Sequence, residues 1–428
     1  MTIRTIEQIN EKLRKGEATV LTAREVRQLV DRGRESEVKG ADVVTTGTMG
    51  LMSGTYAILS FQICKPGLHR RFVKGRLNGV PVHFGPAPNE SLGIIDVFVF
   101  GTQEAEGNRN YGGSFLFRDI VEGKQVAVEA ISDKGKTVET EVNIDQMGTA
   151  KLMSARNCFR NYRAMVNPGN EEYASIFSNL PFLPNYGGLT FSGCGHLSPL
   201  QNDPELVSVG VGTGLLFNGN DGYVFSAGTR SSPKYPNLMT AADMKGMDPT
   251  LMGGYRTGEG PEVLTTYAIP VPILNDSILR TVMTKDEDIP LSVADVRDRH
   301  KIGQTNYGDA WTGHDEVITV DRGPCVECEI CDAEGVCPTF AIRREQFRPV
   351  IDRSRCVNCG ACVRACEQGA FQGELGHAHV TIEGRSMVIP IVCRNSNREG
   401  AVKTMNDLKR RILDGSFQLR SKSANIRP

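Results

Sequence analysis

The sequence predicts an α/β protein whose large region is built on a mixed sheet and is followed by a smaller cysteine-rich unit. Strand-like and helix-like segments alternate along the chain, and many of the 46 glycines mark turns between them. A length of 428 residues, with 39% hydrophobic and 23% charged residues, is sufficient for two or three domains with buried cores.

The individual elements follow from local patterns. Residues 5–34 predict two helices, because Thr22 and Glu25 have the spacing of a capping box. A strand is expected at 41–46, and it runs into a glycine-punctuated segment at 47–54. Further elements are predicted as strands at 94–101, 125–131, 207–211, 222–227 and 386–392, and as a helix from about 401 to 413.

Charge and hydropathy exclude several function classes. Lys+Arg is 49 and Asp+Glu is 50, so the chain has no overall field that would hold nucleic acid or an anionic membrane. The apolar run at 94–100 contains Asp96 and is too short to span a bilayer, and residues 1–5 lack the apolar stretch of a signal peptide. We expect a cytoplasmic protein without nucleic-acid or membrane partners. The sequence does not decide between a monomer and a homo-oligomer.

Eight of the twelve cysteines lie between Cys325 and Cys366 and form an internal repeat. Residues 320–328 realign with residues 351–359, and the two units have the spacings C-x2-C-x2-C-x5-C-P and C-x2-C-x2-C-x3-C. This block resembles the bacterial-type ferredoxin, a small α+β domain that binds two 4Fe–4S clusters. Two departures are the longer spacing before Cys337 and Glu367 in place of the usual proline.

The ferredoxin resemblance implies a crossed set of ligands, because the fourth cysteine of each run reaches the other cluster. One cluster then takes Cys325, Cys328, Cys331 and Cys366, and the other takes Cys337, Cys356, Cys359 and Cys362. A pair of four-thiolate zinc sites is the alternative, although zinc sites rarely show this crossed tandem repeat.

Composition divides the chain into three expected parts. The large region covers 1–310, and the ferredoxin block covers 316–376. Residues 377–428 contain ten Lys and Arg against four Asp and Glu. We expect this basic tail to form a strand and a helix that pack on the large region.

Six motifs of the large region resemble the homocysteine-biosynthesis sulfur-incorporation family. They are 47–54 (GTMGLMSG), 111–119 (YGGSFLFRD), 156–162 (RNCFRNY), 191–197 (FSGCGHL), 228–232 (GTRSS) and 248–254 (DPTLMGG). The nearest branch resembles the methanogenesis marker 16 metalloproteins, in which this domain is fused to a two-cluster ferredoxin.

The resemblance implies an enzyme that converts a small anionic aldehyde to a thiol. Sulfide or a persulfide supplies the sulfur, and a low-potential electron donor supplies two electrons through the two clusters. The branch that makes homocysteine from aspartate semialdehyde has a cysteine at the position of Ser53 and another in the segment matching 131–141, which here contains none. We therefore expect sulfoacetaldehyde as substrate and coenzyme M as product, with aspartate semialdehyde as the alternative. A non-catalytic electron-transfer or cluster-delivery protein is the rival class.

Three cysteines outside the block are candidate sulfur carriers, which need an electropositive and partly open setting. Cys194 lies between two glycines, which are expected to bury little of it, and Cys158 lies between Arg156 and Arg160. Cys64 is followed by Lys65. Each of these thiols is alternatively an inert core residue.

Other residues are candidates for proton transfer and anion binding. His196, close to Cys194, is expected as a base or proton donor, or else as a structural hydrogen-bonding residue. Arg156 and Arg160 would share a face if their segment is helical, and Arg230 is expected to bind the substrate anion unless its loop is a plain turn. Ser53 completes the expected substrate site. An ammonium group on the substrate would find a carboxylate partner among Asp243, Asp248 and Glu262.

Overall fold

The computed structural model describes residues 4–85, 90–382 and 384–426. Its largest feature is an 11-stranded sheet, called here the large sheet, in which one parallel pair joins an otherwise antiparallel set. In spatial order its strands are Val20–Thr22, Val43–Leu51, Gly260–Pro272, Gly214–Phe217, Asn220–Ala227, Leu238–Asp243, Met147–Asn157, Thr55–Gln62, Ile94–Phe100 and His83–Phe84, with Gly253–Thr257 paired to Gly260–Pro272.

A second, six-stranded sheet is also mixed. Its strands in spatial order are Lys301–Asn306, Pro290–Asp295, Arg163–Val166, Leu189–Phe191, Arg385–Arg394 and His377–Ile382. The remaining strands form a four-stranded sheet (Thr137–Val142, Val126–Ser132, Phe72–Leu77, Val80–Pro81) and the pairs Tyr173–Ser175/Ser178–Phe182, Thr319–Val320/Phe371–Gln372, Ile342–Glu345/Arg348–Ile351 and Glu104–Ala105/Asn108–Gly112.

Helices cover the sheets and connect them. The α-helices of the described residues are Ile6–Lys15, Ala23–Asp31, Glu35–Val38, Gly113–Val121, Pro199–Asn202, Asp276–Val282, Tyr307–Trp311, Asp332–Val336, Ala361–Ala365 and Arg398–Leu413. Short 3₁₀ turns lie at Glu90–Leu92, Ile144–Gln146, Gly195–Leu197, Pro249–Leu251 and Asp286–Asp288. Within the described ranges, no helix has both the length and the apolar character needed to cross a membrane.

The two helices expected within 5–34 are present. The predicted capping box is confirmed, since the Thr22 hydroxyl accepts from the Glu25 amide at 3.1 Å and the Glu25 carboxylate accepts from the Thr22 amide at 2.7 Å. The strand predicted at 207–211 is wrong. There the Asp203 carboxylate accepts the backbone amides of Val207, Ser208 and Val209, each at 2.8 Å, so these amides are not available to a sheet.

The motif at 47–54 continues the strand that begins at Val43, and its glycines allow close packing of the tail. A Cβ atom at Gly47 would lie 2.3 Å from the Ala401 carbonyl oxygen, and one at Gly50 would lie 2.7 Å from the Ser396 hydroxyl. Any larger residue would therefore push the tail away from the strand.

The tail adds two strands to the six-stranded sheet and one helix that covers the large sheet. Strand Arg385–Arg394 pairs in parallel with Leu189–Phe191, and helix Arg398–Leu413 covers Val43–Leu51 and Gly260–Pro272. The expected apolar face of this helix buries Met405, Leu408 and Ile412, whereas Leu413 at its end is 54% exposed.

The cysteine block packs against the large sheet. Val357 and Ala361 lie in one apolar cluster with Met49, Tyr255 and Leu264. Arg256 adds polar contacts, because its guanidinium donates to the Cys337 carbonyl at 2.9 Å and its amide donates to the Pro338 carbonyl at 2.8 Å. The block is thereby held in a fixed place beside the sheet.

Candidate functional site

A cavity of about 350 Å³ lies where ends of the two main sheets meet. We call it the pocket. Separate parts of the chain build its wall: Leu51, Ser53, Arg156, Phe159, Asn161, Tyr162, Arg163, Met165, Ile176, Phe177, Ser192, Arg230, Tyr235, Glu262, Arg299 and Asn395. Three of the four residues predicted to bind substrate, Ser53, Arg156 and Arg230, are therefore brought together.

Four arginines give the pocket a strong positive charge. Aromatic rings of the wall orient three of the guanidinium groups, with carbon-to-ring-centre distances of 5.5 Å from Arg156 to Phe159, 5.7 Å from Arg163 to Tyr235 and 5.0 Å from Arg299 to Phe177. Within the described part of the chain, none of the four, Arg156, Arg163, Arg230 and Arg299, forms an ion pair with a carboxylate. Guanidinium groups that form no ion pair of this kind suit a small anion.

The guanidinium of Arg156 is the centre of this charge. Burial lowers its pKa, and the neighbouring charges of Arg230 and Arg299 lower it further. Arg230 takes the left-handed backbone conformation, with φ of 57°, in a loop tied to the sheet by a 2.8 Å bond from the Thr229 amide to the Ala155 carbonyl. The three charges therefore converge on one space.

Glu262 is the carboxylate of the pocket wall. Its residue is 5% exposed, and its Oε2 atom accepts no hydrogen bond from any described residue. Burial raises its pKa to about 7, against the opposing effects of the Ser53 hydroxyl, the Val263 amide and the charges of Arg299 and Arg156. The other two expected carboxylates lie elsewhere, because Asp243 pairs with Lys151 and Asp248 pairs with Lys403.

Cys194 is not in a partly open place. It is 0% exposed, and burial raises the pKa of its thiol. The flanking glycines were expected to leave it accessible, but their positive φ angles let the backbone turn into the core instead. A Cβ atom at Gly193 would lie 2.2 Å from the Tyr307 hydroxyl, and one at Gly195 would lie 2.0 Å from an Asp286 oxygen.

The segment around Cys158 is not helical. Strand Met147–Asn157 ends just before it, and Cys158 itself has φ of 49° and is 1% exposed, so burial raises its pKa. Arg156 and Arg160 consequently do not share a face. The Arg160 guanidinium lies outside the pocket wall and donates to the Pro204 carbonyl at 3.5 Å.

Cys64 and His196 also lie away from the pocket wall. Ser53 lies before strand Thr55–Gln62 and Cys64 lies after it, so the length of this extended strand, roughly 25 Å, separates Cys64 from Ser53 of the pocket. Burial raises the pKa of Cys64. His196 bonds through Nδ1 to Asp286 at 2.8 Å, and burial lowers its pKa. Among the residues described, neither a cysteine nor a histidine lines the pocket.

The eight clustered cysteines line two further cavities in the crossed sets. Cys325, Cys328, Cys331 and Cys366 surround the first, called the outer cavity. Cys337, Cys356, Cys359 and Cys362 surround the second, called the inner cavity. Four thiols around each cavity are the donor set that a 4Fe–4S cluster requires, and the Ala341 amide donates to the Cys337 sulfur at 3.2 Å. The residues present therefore fit such clusters.

The inner cavity is close to the pocket. The Arg394 amide donates to the Cys359 carbonyl at 2.8 Å, and Asn395, the next residue, lines the pocket. Cys393 packs with Cys359 in one buried cluster, and its sulfur lies 3.3 Å from the Tyr255 hydroxyl. By contrast, Cys328 of the outer cavity is exposed to solvent.

Sequence reasoning missed Arg163 and Arg299 as members of the pocket and gave Cys393 no role. Arg163 carried a signal, since it follows a motif that already contains two arginines. No local signal identifies Arg299, because its position depends on a left-handed turn with φ of 66° after strand Pro290–Asp295.

Fold and site together define an α/β protein in which a pocket lined by four arginines lies beside a ferredoxin-like segment. The chain belongs to the family described as homocysteine biosynthesis enzyme, sulfur-incorporation, whose family model matches residues 18–419. The resemblance carried by the six motifs is thereby confirmed.

Some relatives match most of the chain, and a ferredoxin matches a short part of it. A protein of Methanothermobacter thermautotrophicus with the description "uncharacterized protein" is 41% identical over 97% of this chain and 94% of its own length. L-aspartate semialdehyde sulfurtransferase of Methanocaldococcus jannaschii is 33% identical over 72% of this chain and 62% of its own length. An uncharacterized ferredoxin of the same organism is 38% identical over 14% of this chain and 40% of its own length. No solved structure matches the chain.

Proposed function

We propose that this protein transfers sulfur reductively to a small anionic aldehyde and so makes a thiol. The observation that carries the proposal is the pocket of four arginines and one buried glutamate, placed beside the inner cysteine cavity. An anion-binding pocket next to an electron-carrier site suits a reaction that needs both a small anion and electrons. Similarity to L-aspartate semialdehyde sulfurtransferase supports the same chemistry.

The favoured substrate is sulfoacetaldehyde, which would give coenzyme M. Its sulfonate is fully ionised near neutral pH, and several guanidinium groups can each offer it parallel donors. Ser53 in place of a cysteine supports a substrate other than that of the homocysteine branch. Aspartate semialdehyde is the second candidate, because Glu262 in the pocket is a possible partner for its ammonium group.

The sulfur is proposed to enter as sulfide. Since Cys194, Cys158 and Cys64 are absent from the pocket wall, a persulfide on any of them would have to move before it could reach an aldehyde there. Hydrosulfide is a small anion, and the same arginines that bind the substrate attract it.

The overall reaction balances as R–CHO + H₂S + 2e⁻ + 2H⁺ → R–CH₂–SH + H₂O. Sulfide adds to the carbonyl carbon, water leaves, and the carbon–sulfur double bond is reduced. The two electrons are supplied by 4Fe–4S clusters, when bound to the outer and inner cysteine sets, and come from a low-potential donor. The arginines bind the anionic end of the aldehyde and stabilise the oxyanion that forms as sulfide adds. We also propose that the reaction takes place in the cytoplasm.

The deciding experiment is an anaerobic assay of the full chain with sulfide, a low-potential reductant and each aldehyde in turn. We expect thiol formation and a higher kcat/KM for sulfoacetaldehyde, since that ratio reports the difference in transition-state binding. Iron and acid-labile sulfide should each approach about eight per chain. Zinc in place of iron would contradict the cluster assignment, and iron-loaded protein that makes no thiol from either aldehyde would support a non-catalytic electron carrier.

A further inference from the structure

We propose that Glu262 is the acid that protonates the leaving hydroxyl when water is lost from the sulfide adduct. This inference rests on the proposed reductive sulfur transfer. Glu262 lines the pocket, its residue is 5% exposed, and its Oε2 atom lies without a hydrogen-bond partner among the described residues. A buried polar atom of this kind at the wall of a pocket is available to a bound molecule.

Glu262 is the one carboxyl group among the described residues of the wall. Arginine side chains do not serve as acids in proteins, because the guanidinium group does not release its proton. Tyr162 is a weaker acid than usual, because burial raises its pKa well above the ordinary value. No cysteine or histidine is found among the described residues of the wall. Glu262 is therefore the group suited to proton transfer near neutral pH.

The surroundings of Glu262 keep it in this range. Its strand, Gly260–Pro272, is buried along its whole length, which disfavours the charged carboxylate. The Ser53 hydroxyl, from the turn after Val43–Leu51, and the charges of Arg156 and Arg299 act in the opposite sense. The balance places the pKa at about 7, so both the acid and the carboxylate are populated near neutral pH.

The step is balanced without any redox change. In the adduct R–CH(OH)–SH, the Glu262 carboxyl gives its proton to the hydroxyl oxygen, and the carbon–oxygen bond breaks to release water. The carbon–sulfur double bond forms, and the S–H proton passes to the Glu262 carboxylate. The products are R–CH=S and H₂O, and Glu262 is again protonated.

The test compares Glu262→Gln and Glu262→Asp with the unaltered full chain. Asp243→Asn is the matched control, because Asp243 lies outside the pocket and pairs with Lys151 on the surface. Thiol formation is measured anaerobically at saturating sulfide between pH 5.5 and 8.5, with sulfoacetaldehyde and with aspartate semialdehyde. Cluster absorbance and circular dichroism show whether each variant is folded and loaded.

We expect Glu262→Gln to lower kcat by about 10² to 10⁴-fold with little change in KM for sulfoacetaldehyde. The fall of kcat as pH rises through about 7 should disappear in Glu262→Gln and persist in Glu262→Asp and in the control. A Gln variant with kcat within about threefold of wild type would overturn the inference while leaving the reaction itself in place. An increase of KM for aspartate semialdehyde alone would also overturn it and assign Glu262 to the ammonium group. If the unaltered protein makes no thiol, the proposed function fails first.

Discussion

Replacing Arg156 by methionine removes one positive charge from the pocket and retains a side chain of comparable length. In the unaltered protein the Arg156 guanidinium lies over the Phe159 ring and close to the charges of Arg230 and Arg299. The substitution should weaken binding of an anionic substrate. It should change the free energy of unfolding only slightly, because burial and the charges of Arg230 and Arg299 already disfavour the charged guanidinium of Arg156.

Arg156→Met should affect both KM and the free energy of unfolding, and each effect can be estimated separately. One charge-assisted hydrogen bond to the substrate is worth about 1.5–3 kcal/mol, which corresponds to an increase of about 10- to 150-fold in KM. For stability, loss of the contact with Phe159 costs about 0.5–1 kcal/mol. Relief of repulsion from Arg230 and Arg299 offsets part of that cost. The net change in the free energy of unfolding should therefore stay within about 1 kcal/mol.

The assay measures KM for sulfoacetaldehyde and the thermal unfolding midpoint of the loaded protein. Arg160→Met is the matched control, since it removes the same charge four residues away but outside the pocket. We expect its KM to remain at the wild-type value. The reasoning is refuted if Arg156→Met leaves KM unchanged, or if Arg160→Met raises KM by the same factor.

Three further predictions concern buried cysteine and glutamate side chains. Cys158→Ser and Cys194→Ser should still form thiol whenever the variant folds and binds iron, because both thiols lie outside the pocket. Loss of activity in a folded, iron-loaded variant would indicate that the replaced cysteine carries sulfur. The raised pKa of Glu262 makes folded wild type lose stability as pH rises from about 4.5 to about 7, whereas a glutamine at this position does not titrate. The free energy of unfolding of Glu262→Gln, measured by thermal unfolding, should therefore increase relative to that of wild type by about 2–3 kcal/mol between pH 5 and pH 8. A difference that stays constant across this range would contradict the raised pKa. Cys393→Ala should lower the midpoint potential of the cluster proposed to bind Cys359, because a polar thiol packed beside Cys359 is lost, and redox titration should show the other cluster unchanged.

Local signals made part of this structure predictable. The capping box at Thr22 specifies a helix start within four residues, and the spacing from Cys325 to Cys366 specifies two crossed sets of thiols within one short segment. Both signals depend only on residues close together in sequence, so the sequence was sufficient to predict them.

The pocket was only partly predictable because distant elements build it. Arg156, Glu262 and Arg299 come from a strand end, another strand and a turn, and nothing in the local sequence places them together. The glycines beside Cys194 led to the wrong prediction that its thiol is accessible. They indicate freedom of the backbone, and here that freedom brings the backbone against Tyr307 and Asp286 in the core and leaves no opening for the thiol.

The position of strand Arg385–Arg394 in the six-stranded sheet has a consequence for the order of events during synthesis. The ribosome releases every cluster cysteine before it releases this strand, the pocket residue Asn395 and helix Arg398–Leu413. Until then, strand Leu189–Phe191 has an unpaired edge and Val43–Leu51 lacks its covering helix, so the nascent chain exposes surfaces that favour misassembly. The wall of the pocket is therefore complete only after the whole cysteine segment has emerged.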